Sequence, residues 1–399
     1  MTLQEIIALD KKYYMNTFGD RLPVCFVKGE GIKLWDTEGK VYYDFLAGIA
    51  VNALGHSHPA VVNAIMEQAQ KLIHCSNYYY IESQAKLAQL IAENSCCDRV
   101  FFANSGAEAN EGAIKLARLF FRKKGFPEKF EIITLEKSFH GRTLATLAAT
   151  AQEKYQKNYS PLTPKFLSVP MNDIDALEKA ITEYTCAVML EPIQGESGVN
   201  PADKDYIRQV RELCDRKGII LIFDEVQCGI GRTGKLFAYE HFGVEPDIFT
   251  LAKALGGGFP IGALCAKEPF ASAFEPGDHG STFGGNPLAC STAYAALSTI
   301  INENLSENSA IMGEYLISRL NQLKDEYSFI REVRGKGLMI ALEFNTSIAV
   351  EVKLKALEKG FLIGSVGNNI VRMLPPLIIT KEDIDLFISA LDDILKEYY

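Results

Sequence analysis

The chain has 399 residues, 48% of them hydrophobic and 23% charged, with a formal net charge of −9. Enough apolar side chains are present to build a sizeable core, which excludes a disordered chain, and the length suits two or three domains. No run of residues is apolar enough for a membrane span, Glu5, Asp10, Lys11 and Lys12 break up any secretory leader, and an acidic chain without a basic tract is unsuited to nucleic acid; a soluble, cytoplasmic globular protein is expected.

In chain order, Ile32–Trp35 and Val41–Asp44 flank Asp36-Thr37-Glu38-Gly39, a hairpin signal. Short apolar runs follow at Val100–Ala103, Ile132–Leu135, Phe166–Val169, Ala187–Leu190, Ile219–Phe223 and Ile248–Ala252. Longer helical patterns separate several of them. Continuous apolar strands alternating with helices predict an α/β fold with a mostly parallel sheet covered on both faces. The clearest helix starts near Gly106, with Ala113, Ile114, Leu116, Ala117, Phe120 and Phe121 as its apolar stripe. After Pro287 the alternation stops. Helical stretches cover 287–326 with a break near Asn302–Ser309, then come strands at Ile330–Val333 and Leu338–Phe344 and a last amphipathic helix after Thr380. The expected organisation is a large domain over 58–289 and a smaller α+β domain assembled from 1–57 and 290–399.

Ligands of parallel α/β sheets bind beyond the carboxyl ends of the strands, so those ends carry the chemistry. Val100–Ala103 runs into Asn104-Ser105-Gly106-Ala107 and a helix, an arrangement that offers free N–H groups to a phosphate. By itself a serine there is an ordinary N-cap. Ile219–Phe223 ends in Asp224-Glu225, and Ile248–Ala252 ends in Lys253 followed by Gly256-Gly257-Gly258. A lone lysine there would snorkel to water; one kept in apolar surroundings has its pKa lowered and becomes a nucleophile for an aldehyde. Lysine, carboxylate and phosphate cradle on one sheet edge are what a pyridoxal phosphate site needs.

The segments GIAVNALGHSHP (48–59), FFANSGAEANEGAIKLAR (101–118), SFHGRT (138–143), LEPIQGESG (190–198), GIILIFDEVQCGIGRTG (218–234), TLAKALGGGFPIGA (250–263), GSTFGGNPLA (280–289) and VRMLPPL (371–377) resemble, in this order, the class III (ornithine-type) aminotransferases of the pyridoxal-phosphate fold type I. The resemblance implies pyridoxal 5′-phosphate as cofactor, with Lys253 tethering it and shuttling a proton and Asp224 pairing with the pyridine nitrogen. It implies further that Gln227 contacts the ring hydroxyl, Phe139 stacks on the ring, and Ser105, Gly106 and Ala107 hold the phosphate. Thr282 would reach that phosphate from the other subunit, so a homodimer is expected. Arg372 would take the α-carboxylate of glutamate or 2-oxoglutarate, and Arg142 the far carboxylate or that of an ω-amino donor. Glu196 would neutralise Arg372 while such a donor is bound. Glu191 and His140 would support the site, and His56 and His58, with no third ligand at metal spacing, would shape a loop rather than bind metal.

Within the family, GIAVNALGHSHP, His140 of SFHGRT and DEVQCGIGRTG look most like the branch acting on N-acetylornithine, and the tyrosine that ornithine δ-aminotransferases usually carry near Ile49–Val51 is absent. That implies transfer of the δ-amino group of N2-acetyl-L-ornithine to 2-oxoglutarate in two ping-pong half-reactions. Succinylornithine, succinyl-diaminopimelate, ornithine and 4-aminobutyrate are the alternative donors, and an aminomutase of the same fold is the alternative reaction class. The nine cysteines are odd in number and contain no CxxC, so they are read as reduced thiols, the adjacent Cys96-Cys97 pair being the one place where redox chemistry could occur.

Overall fold

The computed structural model describes residues 1–398. A seven-stranded sheet forms its centre, in the spatial order Arg99–Ala103, Gly262–Ala266, Ile248–Leu251, Ile220–Asp224, Thr185–Leu190, Glu131–Leu135 and Phe166–Val169. The last five of these run parallel to one another, while Gly262–Ala266 is antiparallel to both its neighbours. Every residue of Ile220–Asp224, Thr185–Leu190 and Ile248–Leu251 is buried, as expected of strands covered on both faces. All six apolar runs expected from the sequence are strands of this sheet. The seventh, Gly262–Ala266, was not expected; it begins at the edge where Ala103 ends, because Gly262 pairs with Ala103. A Cβ on Gly262 would lie 2.3 Å from the Ser105 carbonyl oxygen, so only glycine lets the two segments meet there.

The helix Gly106–Lys123 covers one face and buries Ala109, Asn110, Ala113, Ile114, Leu116 and Ala117. The expected N-terminal hairpin is present as Lys33–Asp36 and Val41–Asp44, extended by Phe26–Glu30. Its other edge pairs in parallel with Phe361–Leu362, so both ends of the chain share one four-stranded sheet. A second four-stranded sheet takes Ile330–Lys336, Met339–Phe344, Ile370–Met373 and Gly364–Val366. Helices Pro287–Asn302 and Leu305–Glu326 are separated by a shorter break than expected, at Glu303 and Asn304. No helix of the described residues is long and apolar enough to cross a membrane.

Candidate active site

The carboxyl ends of the central strands open into a cavity of about 430 Å³, lined among others by Ser105, Gly106, Ala107, Phe139, Arg142, Asp224, Gln227 and Lys253. A larger cavity, about 680 Å³, lies by Gly234 and Gly337 and contains none of these residues. Topology explains the convergence: Ala103, Leu190, Asp224 and Leu251 all end at the same edge of the sheet.

Asp224 is 3% exposed and held by three contacts to the chain, leaving one acceptor site of Oδ1 open. Its Oδ2 accepts from Asn110 Nδ2 at 2.8 Å and lies 2.7 Å from His140 Nδ1, while Oδ1 accepts the Val226 amide at 3.0 Å. Asn110 also donates to the His140 carbonyl at 2.7 Å and accepts from the Thr250 hydroxyl at 2.6 Å. The carboxylate is thereby fixed in direction, and Asn110 is the site residue that the sequence reading overlooked. The signal was present: a polar residue at 110 lies on the helix face carrying Ala113, Ile114 and Ala117.

Lys253 stands at a positive φ of +44° at the end of its strand, a conformation found in non-glycine residues mainly under constraint. Burial pushes its amine pKa down; the Arg372 charge acts in the same sense, and the carboxylates of Glu196, Asp224 and Glu191 oppose it. Glu191 is buried and shifts the other way, its pKa raised well above the ordinary carboxylate range by burial and by the neighbouring Asp224 charge. Its two oxygens accept the amides of Phe139, at 2.9 Å, and Gly195, at 3.4 Å, which is the supporting part expected for it. Glu225, pushed up to about 8 by burial, accepts the amides of Ala238 and Tyr239.

Ser105 caps the helix Gly106–Lys123, accepting the Glu108 amide on its hydroxyl oxygen and leaving the hydroxyl hydrogen to donate. At Gly106 a Cβ would lie 2.7 Å from Val226 Cγ1, so this backbone must be glycine to pass between Val226 and the helix start. Phe139 sits in a stack that the sequence did not suggest: its ring meets Tyr155 edge to face at 5.8 Å, and the Arg142 guanidinium lies 3.8 Å from the Tyr155 centroid. Arg142 is exposed and has no ion-pair partner among the described residues.

Arg372, 5% exposed, donates from Nη1 to Glu196 Oε1 and to the Gly195 carbonyl, both at 2.9 Å. Gln227 Nε2 donates to the same Glu196 oxygen at 2.9 Å. Burial works to raise the Glu196 pKa, but Arg372 and Lys253 more than offset it, and the carboxyl is held below its usual range. Thr282 is exposed and does not line the cavity of its own chain. His56 bonds Asp44 at 2.8 Å and His58 caps the helix Pro59–Lys71, so both shape a loop, as expected.

The residues fit a phosphorylated pyridine aldehyde. An amine of lowered pKa, an oriented carboxylate and a helix start open to an anion line one cavity. The buried Gln227 Oε1 and His140 Nε2 are left without partners, and Gln227 Oε1 can accept a ring hydroxyl.

The class III aminotransferase family profile matches residues 14–395. A protein of Methanocaldococcus jannaschii named acetylornithine aminotransferase is 56% identical over 400 residues, covering 100% of this chain and 99% of its own. One of Caldanaerobacter subterraneus with the same name is 54% identical and covers 98% and 99%. Among solved structures, the ornithine aminotransferase of Toxoplasma gondii superposes with a TM-score of 0.95 at 34% identity, covering 100% of this chain and 97% of that one. The acetylornithine aminotransferase of Elizabethkingia anophelis gives 0.89 at 38% identity, with 100% of both chains covered.

Proposed function

The chain belongs to the class III aminotransferases, and from that premise we propose that it moves the δ-amino group of N2-acetyl-L-ornithine to 2-oxoglutarate, giving N-acetyl-L-glutamate 5-semialdehyde and L-glutamate. The observation that carries this reading is identity of 54–56% over essentially the whole chain to relatives bearing that name. The apolar Val51 on the cavity wall supports an acylated donor.

Pyridoxal 5′-phosphate, when bound, supplies an aldehyde for amine capture and a ring that accepts electrons from the substrate carbon. Lys253 would hold it, Ser105, Gly106 and Ala107 would receive its phosphate, Phe139 would pack on its ring, and Asp224, oriented by Asn110 and His140, would keep the pyridine nitrogen protonated. Burial, by lowering the Lys253 pKa, favours the neutral amine, the form that would take a proton from the substrate carbon and return one. Arg142, steadied on Tyr155, receives the donor's α-carboxylate. Arg372 receives that of glutamate once Glu196 swings away, and between visits Glu196 neutralises it.

A homodimer completes the site in this reading. Tyr78, Tyr79, Tyr80 and Phe283 are strongly exposed, and Asn77 ties their segment to the loop of Thr282 through the carbonyls of Ser281 and Gly284. Exposed aromatic side chains on neighbouring segments suit an interface, and sedimentation should give a dimer. The division into 1–57, 58–289 and 290–399 belongs to the same reading and is supported by the sheet that joins both ends of the chain. The decisive experiment is a donor panel with 2-oxoglutarate: acetylornithine, succinylornithine, ornithine, 4-aminobutyrate and succinyl-diaminopimelate. Acetylornithine should lead. A clear lead for another donor overturns the substrate assignment, and turnover without 2-oxoglutarate would indicate an aminomutase.

A further inference from the structure

The gate proposed for Glu196 depends on where the backbone holds that side chain. Glu196 lies in the turn Gly195–Val199 between the short strands Ile193–Gln194 and Asn200–Pro201. Two consecutive residues of that turn are left-handed, Gly198 at φ +116° and Val199 at φ +56°. For a buried, β-branched valine this is an outlier that persists only where the surroundings enforce it.

What enforces it is Arg334, on the strand Ile330–Lys336. Its Nε donates to the carbonyls of Gly198, at 3.1 Å, and Val199, at 3.0 Å, and its Nη2 donates to Gly198 at 2.7 Å. The remaining nitrogen, Nη1, pairs with Glu332 at 2.8 Å and with Glu343. Glu343 is 8% exposed and also accepts from Arg331 at 2.9 Å and Asn369 at 3.3 Å. It stands on Met339–Phe344, the strand that pairs with the strand of Arg372 through Ala341↔Arg372 and Glu343↔Ile370. One sheet therefore carries Arg372 directly and, through Arg334, grips the turn that carries its counter-ion. A lysine could not do this, because only the planar guanidinium presents several donors to two carbonyls at once while keeping a carboxylate.

We propose that Arg334 is a positioning residue for the Glu196 gate: by clamping the Gly198 and Val199 carbonyls to the sheet that bears Arg372, it holds Glu196 over Arg372 and so sets the balance between ω-amino donors and the α-amino diacid. The inference rests on the transaminase reading above. Loss of the clamp leaves Arg372 uncovered for more of the time, so a diacid meets less competition and an ω-amino donor meets a bare cation.

The test uses R334K in the full-length holoenzyme. The ratio of kcat/KM for glutamate to kcat/KM for acetylornithine should rise about tenfold, the scale set by losing charge-assisted hydrogen bonds, chiefly through a lower KM for the diacid. Amide exchange over Gly195–Val199, which needs no substrate, should quicken. In an E196A background the same R334K change should move the ratio less than about twofold, since the group being positioned is gone. An unchanged ratio in R334K, unchanged exchange, or the full tenfold change in the E196A background overturns the proposal. Should R334K not fold, E343Q, which removes the charge anchoring Arg334, carries the same three readouts. If the wild-type enzyme prefers another ω-amino donor, the substrate assignment fails alone, and the ratio is then read with that donor.

Discussion

Removing Glu196 should reverse the enzyme's choice of substrate while leaving its chemistry in place. The side chains of Arg372 and Glu196 are 6% and 21% exposed. Breaking a fully buried ion pair from one side costs about 3–5 kcal/mol, and the partial exposure of Glu196 reduces this to about 1–3 kcal/mol. In the proposed gate a diacid would have to supply that energy to displace Glu196. In E196A it does not, so glutamate and 2-oxoglutarate should bind about 10- to 100-fold more tightly. Acetylornithine gains nothing, because its reacting end has no carboxylate for Arg372, and its kcat/KM should fall relative to glutamate by a similar factor. Single-turnover measurements with each donor read the two halves of the reaction separately. E196Q separates charge from shape: it preserves the side-chain outline, and if neutralisation is the mechanism it should follow E196A. Unchanged selectivity in both variants would refute the gate and with it the reason for the Arg372–Glu196 geometry.

Three further outcomes follow from the same geometry. Lys253→Ala should lower turnover by at least about 10³-fold, the upper scale of a lost proton-transfer group, while equilibrium dialysis still detects noncovalent cofactor binding through the Ser105 loop and Asp224. Asn110→Ala removes three buried hydrogen bonds and strands the His140 carbonyl and the Thr250 hydroxyl, a cost of about 2–4 kcal/mol that urea unfolding should register. His241 is held at a pKa of about 4 by burial and by the charge of Lys336; its folded pKa lies below the unfolded value, so the unfolded chain binds the extra proton first and stability is lost as pH falls from about 6.5 towards 4. Allowing for its partial exposure, that loss is about 1–2 kcal/mol, and His241→Gln should flatten the urea midpoint over this window.

The chemistry-bearing strand ends were legible because a buried parallel strand is a continuous apolar run, and a charged residue at its exit stands out: Asp224 and Lys253 each follow four or more buried residues. Gly262–Ala266 was hidden by its neighbourhood. It follows the glycine-rich turn after Lys253 almost at once, and five buried residues without alternation read as the tail of that loop. Phe361–Leu362 has only two residues, too few for any periodicity to declare itself. Arg142 and Arg372 could be carried over from motifs, but Tyr155 and Arg334 could not. Tyr155 acts through a ring face, and Arg334 acts on backbone carbonyls more than 130 positions away. A carbonyl has no residue identity, so its partner cannot be found by reading side chains.

The paired arrangement of Glu196 and Arg372 also bears on the lysine beside it. Glu196 raises the proton affinity of Lys253 and Arg372 lowers it, so with the pair closed the two effects oppose each other. In the proposed gate a diacid carboxylate would replace that of Glu196 on Arg372, and an ω-amino donor would leave Glu196 in place, so Arg372 would face one carboxylate with either substrate.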